Sequence, residues 1–234
     1  MGAIFRREVG SFFTSSVVYV FLASFFFISG YFFYDTALAS GTSSMANFFS
    51  SLLLFVVILI PILTMRSFSE EKKQKTELGL LTAPVSLGSI VLGKYFAVLM
   101  VYICGVSIVW IYSIILSFFG TVDWVLIASN YAALVIIGAA FISIGVFISA
   151  LTENQAVAAV GGIIVLMVLY MLDYVAQQID LEILSDVLNA LAFYNKYYEF
   201  TCGIFNLSSV LYFVSVAAIF NFLTVRVFER KRWA

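Results

Sequence analysis

The sequence contains no histidine, only two cysteines and two prolines, and few charged residues. The absence of histidine removes the commonest general base and the commonest metal ligand, which disfavours acid–base and metal-dependent enzymes. Cys104 and Cys202 lie far apart in or near apolar segments, so a disulfide is possible but no spacing pattern supports it. The net charge of −1 and the pI of about 5.4 disfavour binding to nucleic acid.

Apolar residues make up most of what is present. The chain is 63% hydrophobic and 11% charged, and its mean hydropathy is +1.10. Soluble domains contain about 25% charged and about 45–50% apolar residues. A water-soluble globule of 234 residues would have too few polar groups to cover its surface. The composition therefore predicts a protein whose solvent is lipid.

Six apolar runs predict six transmembrane helices, because a helical span needs about 20 residues and satisfies its own backbone hydrogen bonds. The spans are predicted at residues 17–34, 46–65, 88–118, 124–150, 156–174 and 207–227. Ala37-Leu38-Ala39 resembles a signal-peptide cleavage site, but the apolar run before it is longer than such peptides use, which favours an uncleaved anchor. The predicted fold class is an all-α, polytopic membrane protein with a single transmembrane domain over residues 1–234.

Lysine and arginine placement predicts the orientation of these spans, because cytoplasmic loops are enriched in both. With the N-terminus inside, all but one of the 12 Lys and Arg residues fall on the cytoplasmic side. The exception is Lys196. The outer segments instead carry acidic residues, namely Asp35, Asp123, Asp180, Glu182, Asp186 and Glu199. We therefore expect both termini to be cytoplasmic and the chain to lie in the inner (cytoplasmic) membrane.

Residues 1–16 have the pattern of an amphipathic helix. Phe5, Phe12 and Phe13 recur on an apolar side, while Arg6 and Arg7 can face headgroups and water. This pattern predicts a helix that lies in the cytoplasmic interface and leads into the first span. A flexible basic flank is the alternative.

Residues 66–87 form the longest predicted cytoplasmic connection. A run of mixed charge that includes Glu70 and Glu71 is followed by Leu78, Leu80 and Leu81, and Pro84 then stops any helix. A short helix with a charged start and an apolar end suits contact with another protein, although many charge runs are only solvated surfaces.

Residues 175–206 form the one long outer segment. Apolar residues repeat in it at steps of three and four between polar positions, which predicts a short amphipathic helix or helix pair at the outer leaflet. These residues are Ile183, Val187, Leu188, Leu191 and Tyr194.

The stretch from Met65 to Ser86 resembles the first cytoplasmic loop of type-2 ABC transporter (ABC-2) permeases, and in particular the gliding-motility-type subgroup. Further similar stretches are IFRREVGSFFTSSVVYVFLASFFFISGYFF near the N-terminus, GKYF at 93–96, ISALTENQ at 148–155 and residues 226–233. Two positions depart from the pattern: Lys75 stands where relatives usually have Gly, and Gly79 interrupts a run of leucines.

The resemblance implies a permease subunit that pairs with a second copy or a homologous permease in membrane lipid. It implies that a separate cytoplasmic ABC ATPase dimer binds ATP and Mg²⁺, so that this chain is not an enzyme and binds no cofactor or metal. The loop that carries the coupling helix and contacts the ATPase would use Glu70, Glu71, Thr76, Glu77, Leu78, Leu80, Leu81 and Pro84. By the same resemblance, the loop Thr152, Glu153, Asn154 and Gln155 would make a secondary cytoplasmic contact, and the segment 175–206 would be re-entrant.

A search for nucleotide-binding motifs finds only a near miss. Residues 88–95 read GSIVLGKY, in which Tyr95 replaces the Ser or Thr that the phosphate-binding loop needs for magnesium. We therefore expect a partner to hydrolyse the ATP of an ABC exporter. The alternatives are an ion-coupled secondary transporter and a non-transporting membrane scaffold. Asp173 and Glu153 lie at span ends, so a relay of protons through them is a weaker hypothesis.

Overall fold

The computed structural model describes residues 2–42, 44–76, 85–178, 188, 192–204 and 206–233. Within these ranges the chain is helical and contains no strand. The helices are α1 (Gly2–Thr14), α2 (Ser16–Phe33, continued by a π-helical turn over Tyr34–Leu38), α3 (Ala46–Thr64), α4 (Arg66–Lys73), α5 (Leu87–Val106), α6 (Ile108–Ser117), α7 (Trp124–Leu151), α8 (Gln155–Gln177), α9 (Tyr194–Thr201) and α10 (Leu207–Trp233).

Six stretches of the described chain are long and apolar enough to cross a membrane. They are Ser16–Leu38, Ala46–Lys73, Leu87–Ser117, Trp124–Leu151, Gln155–Gln177 and Leu207–Arg230. These stretches confirm the prediction of an all-α, polytopic fold with six spans. The amphipathic helix predicted over residues 1–16 is present as α1.

Two helix boundaries differ from the sequence-based prediction. The second span was predicted to end at residue 65, but the helix continues through α4 to Lys73, since Arg66 and Glu70 form an ion pair one turn apart. The third span is divided at Ser107, whose hydroxyl donates to the carbonyl of Ile103 at 2.7 Å. A hydroxyl bonded back to the preceding turn is a known cause of local helix bending.

Helix α7 is the centre of the bundle. It contacts α3, α4, α5, α8, α9 and α10. In its most apolar stretch 67% of the residues are buried within the molecule, against 17% for α8. A helix that is apolar on all sides is expected at the core, and α7 has no polar face along most of its length.

Glycines on α7 let neighbouring helices approach closely. The Tyr102 ring of α5 lies where a Cβ of Gly138 would be, and its hydroxyl donates to the carbonyl of Leu134 at 2.8 Å. Thr64 of α3 occupies the same kind of space beside Gly145. Small residues at helix crossings are the usual way for membrane helices to pack without a hydrophobic driving force.

The bundle has two distinct ends. We call the end that holds α1, α4, the start of α5 and the C-terminal part of α10 the basic end, because Arg7, Arg66 and Lys94 lie there. The other end carries α9, and we call it the α9 end. Side chains cap the helices that start at each: Asp123 accepts from the backbone of Val125 and Leu126 at 3.0 and 3.1 Å, and Asn154 accepts from Ala156 at 2.9 Å.

Candidate functional site

Three charged side chains from three helices meet at the basic end. The ammonium of Lys94 on α5 lies 3.0 Å from Glu8 of α1 and 2.8 Å from Glu71 of α4. The Lys94 side chain is only 3% exposed, and its ammonium also lies 5.2 Å from the centre of the Phe68 ring. We call Glu8, Glu71 and Lys94 the charge cluster. Because a buried charge without a partner is costly, the cluster ties α1, α4 and α5 together.

A second ion pair fixes the direction in which the chain leaves α3. The guanidinium of Arg66 binds both carboxylate oxygens of Glu70 at 2.6 Å, and its third nitrogen donates to the hydroxyl of Ser15 at 2.5 Å. Two-pronged contacts of this kind are the strongest geometry for an Arg–carboxylate pair. Since Ser15 is also the N-cap of α2, this contact joins α4 to the start of the first span.

Ser149 of α7 holds the junction between α3 and α4. Its hydroxyl accepts from the backbone N–H groups of Phe68 and Ser69 at 3.0 and 3.1 Å, and it donates to the carbonyl of Met65 at 3.0 Å. Lys72 extends the contact by donating to the carbonyl of Ala150. Helix α4 is therefore bonded along its length to the end of the central helix.

An aromatic contact brings the C-terminal helix into the same assembly. The rings of Phe68 on α4 and Phe228 on α10 lie 4.6 Å apart between centroids, and both are buried. Helix α4 thus contacts the charge cluster on one side and α10 on another.

Helix α4 ends in a Schellman motif. The N–H of Lys75 bonds the carbonyl of Lys72, and the N–H of Thr76 bonds that of Glu71, both at 3.0 Å. Lys75 has a φ of 57°, the left-handed conformation that favours glycine. In the ABC-2 permease pattern that this stretch resembles, Gly is usual at this position, and the backbone at Lys75 has the conformation that a glycine would adopt.

A polar cavity of about 290 Å³ lies between α1, α4 and the start of α5. Its lining includes Arg7, Glu8, Ser67, Glu71 and Lys94. Two of the residues that line it, Ser67 and Glu71, each have a buried side-chain oxygen, Oγ and Oε2, with no hydrogen-bond partner among the described residues. The cavity is therefore polar, and part of its bonding capacity is unused.

Helix α1 lies against α5 through its apolar side. Ile4 contacts Gly93, where an added Cβ would come within 2.9 Å, and Phe5 is half-buried. Arg6 and Arg7 are exposed, as expected for a polar side, while the two predicted apolar residues differ: Phe12 is buried and Phe13 is exposed.

The loop over residues 152–155 lies at the basic end, between α7 and α8. Thr152 accepts from the backbone of Asn154 at 3.2 Å, and the Asn154 side chain caps α8. Glu153 is exposed, and Gln155 begins α8. The side chains of Thr152 and Asn154 therefore form hydrogen bonds within the loop and to α8. Glu153 is exposed, so its carboxylate is accessible to a partner.

The structure places only some of the predicted coupling residues. Glu70, Glu71 and Thr76 lie in or directly after α4, and each bonds within the chain, with the Thr76 hydroxyl donating to the carbonyl of Glu71 at 3.3 Å. The others, Glu77, Leu78, Leu80, Leu81 and Pro84, lie outside the described residues. Sequence reasoning did not single out Lys94 or Ser149. A lone lysine two turns inside an apolar helix was the available signal for the first.

The α9 end is held by aromatic packing and by two carboxylates. Tyr197, which is 1% exposed, donates to the carbonyl of Phe49 at 3.2 Å. Asp173 accepts from the backbone N–H of Tyr194 at 2.9 Å, so it has a structural contact that secures the start of α9. Glu199 accepts from Asn206 and Ser209 at 3.1 and 2.9 Å and joins α9 to α10.

Lys196 also lies at the α9 end. Lys196 donates to the carbonyl of Ala192 and lies 4.3 Å from the centre of the Tyr212 ring. Burial lowers the pKa of Lys196, while Asp173 and Glu199 oppose part of that shift. Cys104 and Cys202 are both free and exposed, so the possible disulfide is not formed. Of the predicted outer segment, residues 179–187, 189–191 and 205, including Ile183, Val187 and Leu191, lie outside the described residues.

Comparison with known proteins supplies the family. No curated protein matches the chain. A family model described as "ABC-2 family transporter protein" matches residues 33–227, which is well over half of the chain. The six apolar helices agree with a multi-pass membrane subunit of a transporter. The chain therefore belongs to the ABC-2 transporter family and is a membrane permease component of an ABC transporter.

Proposed function

We propose that this chain is the membrane-spanning subunit of an ATP-driven exporter in the inner membrane of a bacterium. A separate cytoplasmic ABC ATPase dimer supplies the energy, and a second permease, identical or homologous, completes the pathway. The basic end faces the cytoplasm, because nearly all Lys and Arg residues group with it. Within the family, the stretch Met65–Ser86 supports the gliding-motility-type subgroup.

The charge cluster is the observation that carries this proposal. It joins α4, which begins the predicted coupling region 66–87, to α1 and α5 through Lys94. Ser149 joins the same helix to α7. A displacement of α4 by an ATPase would therefore reach three parts of the bundle directly.

The energy of the contacts between α4 and the bundle decides whether α4 moves with the bundle or separates from it. Removing one partner of a buried ion pair costs about 3–5 kcal/mol. Coupling free energies between distant sites are typically about 1–3 kcal/mol. Pulling α4 away from α1 and α5 would leave the buried Lys94 ammonium without its carboxylate partners, so the charge cluster opposes that separation. We expect α4, α1 and the inner parts of α5 and α7 to move as one rigid body when ATP closes the ATPase dimer.

The loop at 152–155 and helix α1 support the same assignment. Both lie at the basic end, beside α4, where a docked ATPase would lie. Glu153 is exposed and could contact a partner, while Asn154 is occupied in capping α8. At the other end, α9 closes over α3, α7 and α8 and is suited to restrict the pathway toward the outside.

The first test uses the purified chain with its cognate ATPase, identified as an adjacent reading frame that carries GxxxxGK[ST]. The chain alone should hydrolyse no ATP, and the ATPase should be stimulated when both are reconstituted in lipid nanodiscs. ATP hydrolysis by the pure single chain would contradict the proposal.

A charge swap tests whether α4 is the coupling element. Charge reversal at Glu70 alone breaks its internal pair with Arg66, so it changes folding and docking together. The double variant Arg66→Glu, Glu70→Arg keeps the pair and reverses the charge that a partner meets. We expect it to retain the stability of the unchanged protein and to lose about tenfold in ATPase stimulation, equivalent to about 1.4 kcal/mol. Full stimulation by the swapped variant would place the coupling contact elsewhere.

A further inference from the structure

The polar cavity at the basic end has unused bonding capacity of both signs. Ser67 is 4% exposed, and its hydroxyl has no partner among the described residues. Glu71 uses one carboxylate oxygen for Lys94, while Oε2 is buried without a partner. A buried polar atom left unpaired is destabilising, so these atoms favour a ligand that bonds them.

The cations around the cavity differ in what they already bind. Lys94 is shared by two carboxylates, and Arg66 is fully engaged with Glu70 and Ser15. Arg7 also lines the cavity, is exposed, and forms no ion pair with any described residue. The cavity therefore presents a guanidinium that has no close ion pair, although Arg7 attracts Glu71 at longer range, and one carboxylate oxygen that has no hydrogen bond.

This combination selects the charge type of the ligand. A simple cation would bond Glu71 but be repelled by Arg7, and a simple anion would bond Arg7 but be repelled by Glu71. A small zwitterion satisfies both. The volume of about 290 Å³ is near the lower limit of roughly 300 Å³ for ligand pockets, so it suits a headgroup-sized group.

The position of the cavity indicates where such a zwitterion comes from. Its lining includes Ser15, which caps the first span, and Arg66, which follows α3, so the cavity lies at the depth where spans meet the headgroup layer. A nearly purely apolar groove of about 560 Å³ runs between the same two helices, α1 and α5, along Phe5, Phe96 and Met100. A phospholipid could place its charged headgroup in the polar cavity and an apolar acyl chain in the groove.

We propose that the polar cavity binds the headgroup of phosphatidylethanolamine from the leaflet at the basic end. The primary ammonium donates to Glu71 Oε2. The phosphate accepts from the guanidinium of Arg7 and from the Ser67 hydroxyl, and an acyl chain lies in the apolar groove. Phosphatidylcholine has the same phosphate but no N–H donor, and phosphatidylglycerol has the phosphate without the cation.

Native mass spectrometry of the purified full chain in detergent tests the proposal, with the three lipids added at equal concentration. We expect phosphatidylethanolamine to be retained about tenfold more than phosphatidylcholine or phosphatidylglycerol, since a charge-assisted hydrogen bond distinguishes them. Stepwise N-methylation of the ethanolamine should lower retention with each N–H that is lost. This series uses the unchanged protein, so it does not depend on how any variant folds.

Two pairs of variants locate the site. Glu71→Gln should abolish the preference for ethanolamine over choline, whereas Glu153→Gln, at an exposed acid of the same end, should leave it unchanged. Arg7→Gln should lower the retention of all three phospholipids, whereas the neighbouring Arg6→Gln should not. Equal retention of phosphatidylethanolamine and phosphatidylcholine by the unchanged protein would overturn the proposal, as would a preference that survives Glu71→Gln.

Discussion

At the basic end, charged side chains from three helices meet around one buried ammonium, whereas at the α9 end buried aromatic rings pack together and the carboxylates Asp173 and Glu199 accept hydrogen bonds from uncharged groups. At the basic end, Lys94 has two carboxylate partners, and Arg66 binds Glu70 through two nitrogens. At the α9 end, Tyr197, Phe193 and Phe200 are buried. Directional ionic bonds keep the relative position of a few helices fixed, and apolar packing tolerates small rearrangements better. The difference agrees with the proposed roles: the basic end transmits a displacement from the ATPase, and the α9 end closes the transport pathway.

The largest expected difference between the two ends comes from the ammonium of the charge cluster. Lys94→Met removes the charge and leaves Glu8 and Glu71 facing each other, so we expect a loss of about 3–5 kcal/mol in the free energy of unfolding. Denaturant titration of the purified protein in detergent measures this loss. The control is Arg226→Met, because the Arg226–Glu229 pair is 61% and 39% exposed and should contribute less than about 1 kcal/mol. If Lys94→Met and Arg226→Met lowered the free energy of unfolding equally, the charge cluster would be no more stabilising than an exposed ion pair.

A smaller effect is expected at the α9 end, where one hydroxyl can be removed without changing the packing. Tyr197→Phe deletes the hydrogen bond to the carbonyl of Phe49 and should cost about 0.5–1.5 kcal/mol. Tyr198→Phe serves as the control, since Tyr198 is 52% exposed and should change stability very little. The same denaturant titration compares them. A loss at Tyr197 as large as that of Lys94→Met would mean that polar bonds, and not packing, dominate at both ends.

The smallest expected effect is a gain in stability at the basic end, where α4 ends at Lys75. Lys75→Gly relieves the left-handed backbone at the end of α4 and should raise the free energy of unfolding by about 0.5–1 kcal/mol. Lys73→Gly, in the last turn of the same helix, should lower it by about 1 kcal/mol. Opposite signs for these two neighbours, measured by thermal unfolding, would verify the Schellman motif; the same sign would contradict it.

The spans were predictable from sequence because long apolar runs have one stable solution in lipid. The number of helices and the presence of α1 follow from composition and periodicity alone. A short helix with a charged start was predicted after Met65, but its continuity with the second span was missed, since the charged run reads as the beginning of a cytoplasmic connection. What lets it remain helical is tertiary: Ser149, some 80 residues along the chain, bonds the backbone of Phe68 and Ser69.

The candidate site was predictable only in part for the same reason. The charges at Glu70 and Glu71 were noticed as a run, but their partners were not, because Lys94 lies 23 positions beyond Glu71 and 86 beyond Glu8. No local pattern encodes such pairs. Thr76 stays a predicted coupling residue, and its hydroxyl bonds the backbone of its own helix end, a contact that the sequence did not indicate.

The ring of Tyr102 beside Gly138 limits how the core of this protein can change shape. A one-turn slip of α5 along α7 would carry the ring about 5.4 Å away from Gly138 and drive it against the bulkier residues one turn along α7, such as Leu134 and Phe141. Sliding between these two helices is therefore barred, while tilting of the pair together is not. We therefore expect the transport cycle to use rigid-body rotations in which α5 and α7 keep their relative position.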